Sequence, residues 1–150
     1  MLGDARLTLE KAAAQSLDYL VIDAFSSDAI PMHLLTVEAI AMYLSKLAPE
    51  GVVAVHVSNR YLDLVPALTA TLDRSRVTNR LVVRWKPEAT HLDATPSHVV
   101  LFAKNEHALA RARGWSGASD MTPALASAQV SPWTDDYSDI LSALVAKWRQ

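Results

Sequence analysis

Two short, uninterrupted apolar runs do most to limit how this chain can fold. Tyr19-Leu20-Val21-Ile22 ends at Asp23, and Val52-Val53-Ala54-Val55-His56-Val57 ends at Ser58-Asn59-Arg60. A strand with one wet face alternates apolar and polar residues. These runs scarcely alternate, as expected of strands buried on both faces of a parallel sheet. Between them Leu35, Ala39, Met42, Tyr43 and Leu47 recur at helical spacing. Strand, helix, strand is the building unit of an open α/β sheet.

The rest of the chain extends that pattern. Residues 6–15, rich in Ala, Leu, Glu and Lys, read as a helix before the first strand at 19–24. Ser26, Ser27, Asp28 and Pro31 make 24–31 a loop. A helix is expected over 34–47, stopped by Pro49 and Gly51, and a strand over 52–57. A second long helix is expected over 62–74, with Pro66 near its first turn, where proline is tolerated. Strands follow at 80–85 and 98–103, a short helix at 106–113, an irregular stretch at 114–132 and a last helix at 137–148. Residues 86–97 contain Pro87 and Pro96 and show no helical period. Parallel neighbours need a crossover, usually a helix, so the strands on either side of this stretch should pair antiparallel. No repeat and no domain boundary is visible, and residues 1–150 read as a single domain.

Several function classes are disfavoured. The formal charge is −2, from 14 basic and 16 acidic residues, so nothing argues for nucleic acid. The absence of cysteine excludes disulfides and thiolate metal sites, and His33, His91, His98 and His107 have no ligand spacing. No apolar run approaches the ~20 residues that span a bilayer. The first residues, Met1-Leu2-Gly3-Asp4, do not read as a secretory signal. A cytoplasmic protein without a membrane segment is expected.

Ligands of open α/β sheets bind beyond the carboxyl ends of the strands. Asp23-Ala24-Phe25-Ser26-Ser27-Asp28 lies there after the first strand, and His56, Ser58, Asn59, Arg60 and Tyr61 lie there at the end of the second. Two carboxylates close in sequence can hold a cationic amine, and one can take its proton. Asp28 can equally cap the next helix, and Asp23 can be an ordinary turn aspartate. Asn59 and Tyr61 can reach the same mouth or simply shape their loop. His56, alternating within an apolar strand, reads as a core histidine rather than a catalyst. Asp4 is placed to cap the first helix, and Thr134 or Asp135 to cap the last. No Gly-x-Gly-x-x-Gly occurs, and there are only four glycines.

Gly3-Asp4-Ala5-Arg6, Asp23-Ala24-Phe25-Ser26-Ser27-Asp28-Ala29-Ile30-Pro31, His56-Val57-Ser58-Asn59-Arg60-Tyr61 and Trp133-Thr134-Asp135-Asp136-Tyr137-Ser138 resemble, in order, the bacterial spermidine-synthase-like proteins. The match is to the branch often fused to a transporter-like membrane half. The resemblance implies the C-terminal half of a seven-stranded methyltransferase-like (Rossmann-like) sheet, mostly parallel with the last strand antiparallel. It implies aminopropyl transfer from decarboxylated S-adenosylmethionine to a diamine such as putrescine, without a metal. Position by position, Asp23 and Asp28 match the catalytic loop. Asp4 and Ala5 match the adenine contact. Asn59, Tyr61 and Asp135 match substrate-binding positions.

The sequence departs from that family in two ways. The two loop aspartates of a spermidine synthase are separated by only two residues, whereas Ala24, Phe25, Ser26 and Ser27 intervene here. The glycine-rich turn and the ribose-binding acid of the family would precede Gly3. A partial domain is therefore expected, a truncated product or one completed by a partner, that binds no cofactor tightly and is inactive alone. Its first strand would offer an unpaired edge for self-association or for that partner. Two alternatives remain open: an S-adenosylmethionine-dependent methyltransferase-like protein, and a non-catalytic association domain.

Overall fold

The computed structural model describes residues 4–23, 32–59, 62–86, 96–120, 130–141 and 144. Helix α1 (Ala5–Glu10) precedes strand β1 (Leu17–Ile22), α2 (Val37–Lys46) leads into β2 (Leu47–His56), and α3 (Val65–Arg74) leads into β3 (Arg80–Trp85). Strand β4 (Ser97–Ala103), the short helix α4 (Ala110–Arg113) and β5 (Ala118–Asp120) follow. The strands form one sheet in the order β1-β2-β4-β3-β5. β1 and β2 pair parallel, and β4 is antiparallel to both β2 and β3. β1, β2 and β3 thus share one direction, and the reversed β4 sits between β2 and β3. The expected reversal of that strand is present, and so is the antiparallel pairing across residues 86–97.

Three expectations are corrected. A fifth strand, β5, pairs antiparallel with β3 through Leu81–Asp120, Val82–Ser119 and Val83–Ala118. It lies in the stretch read as irregular, because its ladder is made by backbone and by the turn at Gly117, whose φ is +82°. The Gly117 carbonyl accepts the Arg84 N–H at 2.9 Å. Secondly, α2 stops at Lys46, before Pro49 and Gly51, and Leu47 already belongs to β2. Gly51 serves the strand instead of ending the helix. The β1–β2 register shifts between Leu17 and Tyr19, and a Cβ on Gly51 would stand 2.6 Å from the Leu17 carbonyl oxygen. Thirdly, α1 is shorter than residues 6–15. Of the helix expected over 137–148, only residues 140, 141 and 144 are described as helical.

The helices begin where chemistry provides caps. The Asp4 carboxylate accepts the backbone N–H groups of Arg6 and Leu7 at 2.8 and 3.2 Å, the N-cap the sequence led one to expect. The Thr36 hydroxyl accepts from Ala39 at 3.2 Å to open α2. At the far end of α2, Lys46 Nζ donates to the Glu10 and Ala12 carbonyls, tying the end of α1 to the end of α2.

The core lies mainly on one face of the sheet. Ile22, Val53, Val55, Val82, Val100 and Phe102 pack against Ile40 and Tyr43 of α2, Leu68 and Leu72 of α3, and Trp133. Trp133 is fully buried. Its backbone N–H donates to the Thr71 hydroxyl at 3.1 Å, and its carbonyl accepts from Val37 at 2.9 Å. The opposite face has a smaller cluster, Leu81, Leu101 and Ala103 under Leu109 and Ala112. Arg80 is buried with its guanidinium on Asp73 and on the carbonyls of Thr69 and Val77, so its charge is paired.

Candidate functional site at the carboxyl ends of the strands

β1 and β2 are parallel neighbours, so their carboxyl ends open at one edge. The start of the reversed β4 meets them there. Register pairs Tyr19 with Val52 and Val21 with Ala54. Side chains alternate along a strand, so Asp23 and His56 continue the face carrying those residues. The two meet: His56 Nδ1 lies 2.9 Å from Asp23 Oδ1. On the other side of the ring, Ser97 Oγ of β4 lies 3.3 Å from His56 Nε2. The Asp23 side chain is 64% exposed and that of His56 32%. His56 is therefore a half-open histidine fastened to a carboxylate at the mouth, not the core histidine its apolar strand suggested. Nearby, the Ser58 hydroxyl accepts the His98 N–H at 2.6 Å, and Val57 donates to the His98 carbonyl, which fastens the loop after β2 onto β4.

A second polar group gathers around the starts of α1 and α2. Arg6 grips the Asp135 carboxylate through two parallel hydrogen bonds of 2.6 and 2.7 Å, and the Thr36 hydroxyl donates to the same carboxylate at 2.7 Å. Arg6 also donates to the His33 carbonyl at 3.1 Å, and His33 Nε2 stands 3.6 Å from Asp4. The Arg6 guanidinium, then the Thr36 hydroxyl, hold the Asp135 carboxyl below the usual carboxylate range. Backbone donation from Leu7, and to a lesser extent from Arg6, does the same for Asp4. Burial pushes the Tyr43 hydroxyl up, and it donates to the Leu34 carbonyl at 2.9 Å.

The positions singled out in the sequence divide accordingly. Asp23 stands at the mouth. Asn59 follows β2, and its side-chain oxygen accepts from Leu62 N–H at 2.9 Å, shaping the approach to α3. Asp4 and Ala5 open α1. Asp135 does not cap a helix: its carboxylate serves Arg6 and Thr36, and its N–H donates to Glu38 at 3.0 Å. Asp28 and Tyr61 lie outside the described residues. Arg6, Thr36, His56 and Ser97 were not singled out as site residues, although one signal was present for His56. It and Asp23 close the two apolar runs, and neighbouring parallel strands bring such ends together. Among the described residues no helix is long and apolar enough to cross a membrane.

No family profile and no curated protein matches the sequence. Solved structures match the fold. A probable spermidine synthase from Corynebacterium glutamicum superposes with a TM-score of 0.59 at 17% identity, over 92% of this chain and 54% of that one. MNMC2 from Aquifex aeolicus superposes with a TM-score of 0.50 at 18% identity, over 97% of this chain and 42% of that one. The chain spans about half the length of these structures. Its fold is a methyltransferase-like α/β sheet of the kind found in both.

Proposed function

We propose that this chain carries the amine side of an aminopropyltransferase site. The reaction moves an aminopropyl group from decarboxylated S-adenosylmethionine to a diamine such as putrescine. The observation that supports this reading most is Asp23, a carboxylate exposed at the carboxyl end of β1, one strand away from the reversed β4 of a methyltransferase-like sheet. An anion there attracts a diammonium ion and orients its nitrogen for attack on the carbon next to the sulfonium. Asp28 is its partner in this reading. Asn59, Tyr61 and Asp135 border the substrate, Asp4 and Ala5 meet the adenine, and the working compartment is the cytoplasm.

The cosubstrate needs more than these residues supply. Close backbone approach to such ligands is the work of glycine-rich turns. Asp4 can offer the adenine a hydrogen bond or two, each worth roughly 1 kcal/mol net, whereas micromolar binding takes about 8 kcal/mol. Calorimetry on the 150-residue chain should therefore show weak or no binding of decarboxylated S-adenosylmethionine. Putrescine turnover should appear only when a chain bearing the glycine-rich half is added. Micromolar affinity in a monomer would refute the need for that half, and no transfer in either condition would refute the aminopropyl reading.

A second reading, an association module, is favoured by one observation. Among the described residues β1 is the outermost strand, and on one face its Tyr19 and Val21 are 77% and 68% exposed. An unpaired apolar edge invites another chain. Both readings call for a partner on β1, and only the first calls for amine chemistry at Asp23.

A further inference from the structure

We propose that Asp23, His56 and Ser97 form a proton relay in which His56 Nε2 takes the proton from the substrate amine and Asp23 positions the ring. The proposal rests on the aminopropyl reading for its substrate and on geometry for its residues. Three strands deliver the three groups to one edge: Asp23 directly follows β1, β2 ends with His56, and the reversed β4 begins with Ser97. A carboxylate accepts hydrogen bonds and cannot donate them when ionised. The 2.9 Å contact with Asp23 Oδ1 therefore places the ring proton on Nδ1. Nε2 is then left as the basic nitrogen, and the Ser97 hydroxyl at 3.3 Å donates to it. That is a long bond for a hydroxyl donor, so an incoming amine N–H can take its place.

The step balances. The ammonium end of the diamine gives its proton to Nε2, the imidazole becomes imidazolium, and the Asp23 carboxylate neutralises that charge. The freed nitrogen lone pair forms a bond to the carbon next to the sulfonium. The carbon–sulfur bond breaks with its electron pair going to sulfur, which leaves as a neutral thioether. With Asp23 Oδ1 engaged on Nδ1, the Nε2 lone pair is the acceptor the ring offers to an ammonium group. In this arrangement the carboxylate serves attraction and orientation, and the ring serves proton transfer.

Two measurements test this. Long-range proton–nitrogen spectra of the His56 ring in the full chain should show the proton on Nδ1 and an unprotonated Nε2 in the neutral ring. Asp23→Ala should shift the tautomer towards Nε2–H, and Ser97→Ala should move only the Nε2 resonance. A wild-type ring protonated on Nε2, or a tautomer unchanged by Asp23→Ala, overturns the relay. In the transfer assay with putrescine and the glycine-rich partner, His56→Gln should lower kcat at least 100-fold with KM within about 3-fold, since general-base catalysis contributes about 10²–10⁴. A His56→Gln variant that keeps kcat within 3-fold overturns the base role while leaving the aminopropyl reading in place. If the wild type transfers nothing, it is the aminopropyl reading that fails, and the relay is then decided by the ring spectra alone.

Discussion

The two faces of the sheet are made of the same strands and nearly the same residues, yet they end in opposite circumstances. On one face Val53, Val55, Val100 and Phe102 are fully buried beneath α2, α3 and Trp133. On the other, Val52, Ala54, Val83 and Val99 are only partly buried, and Tyr19, Val21 and Trp85 stand more than half exposed. Hydrophobicity does not distinguish them. What differs is cover, because α4 and the turn before it shield only the end of the second face near Leu81, Leu101 and Ala103. A strand sequence apolar on both sides therefore records two burials, and the described residues accomplish one. The proposed relay sits at the mouth of the unfinished face, where whatever covers Tyr19 and Val21 would also shield His56 from water.

The largest effect should come from breaking the finished face. Phe102→Ala removes a fully buried ring, and such losses typically cost about 3–5 kcal/mol, read as a fall in the urea midpoint. A cost below about 1 kcal/mol would mean that the two faces are equally loose. The double variant Tyr19→Thr, Val21→Thr keeps β-favouring residues and removes exposed apolar surface. Its stability should stay within about 0.5 kcal/mol per site, as for ordinary surface substitutions, while its tendency to self-associate on size exclusion falls. Unchanged association would move the sticky surface away from β1.

The smallest effect belongs to the clasp that holds the Trp133 segment over the finished face. Arg6 lowers the Asp135 pKa in the folded state. The stability gained is fully present above the unfolded carboxylate value, about 4, and is lost as pH falls through the still lower folded value. Asp135→Asn should therefore cost some stability at neutral pH, and the gap to wild type should close as pH drops below about 4. The Asp135 side chain is 40% exposed, so solvent screening keeps the gap small. A gap that widens in acid would show that the clasp works through something other than this charge.

What could be read in advance follows the range of the forces involved. The runs at 52–57 and 80–85 mark strands, the second half of β2 and all of β3, because burial acts residue by residue. The reversal of β4 was legible from Pro87, Pro96 and the missing helical period between them. Its insertion between β2 and β3 was not, since ladder order depends on pairings across distant sequence and leaves no local mark. The same holds for Arg6 and Asp135, whose hydrogen bonds bridge a sequence separation of 129. Gly51 misled because a glycine after a helix usually ends it, and here the need came from a carbonyl on the neighbouring strand. His56 misled because a polar residue inside an apolar run looks satisfied by the core, whereas the register carries it just past the covered region to Asp23.

The position of β4 also governs the order in which the sheet can be completed during synthesis. β2 is made early, yet its second neighbour is β4, not β3. Until Ala103 has left the ribosome, Val52–His56 has a partner on only one side, and β3 has none. Translation at about 5–20 residues per second leaves that edge open for roughly 2–9 s after His56 emerges. Trp133, which seals the packed face, arrives later still. The nascent chain therefore carries an unpaired apolar strand while the 47 residues from Val57 to Ala103 are made. The docking of β4 closes β2 and gives β3 its first neighbour, making the sheet continuous in a single late event.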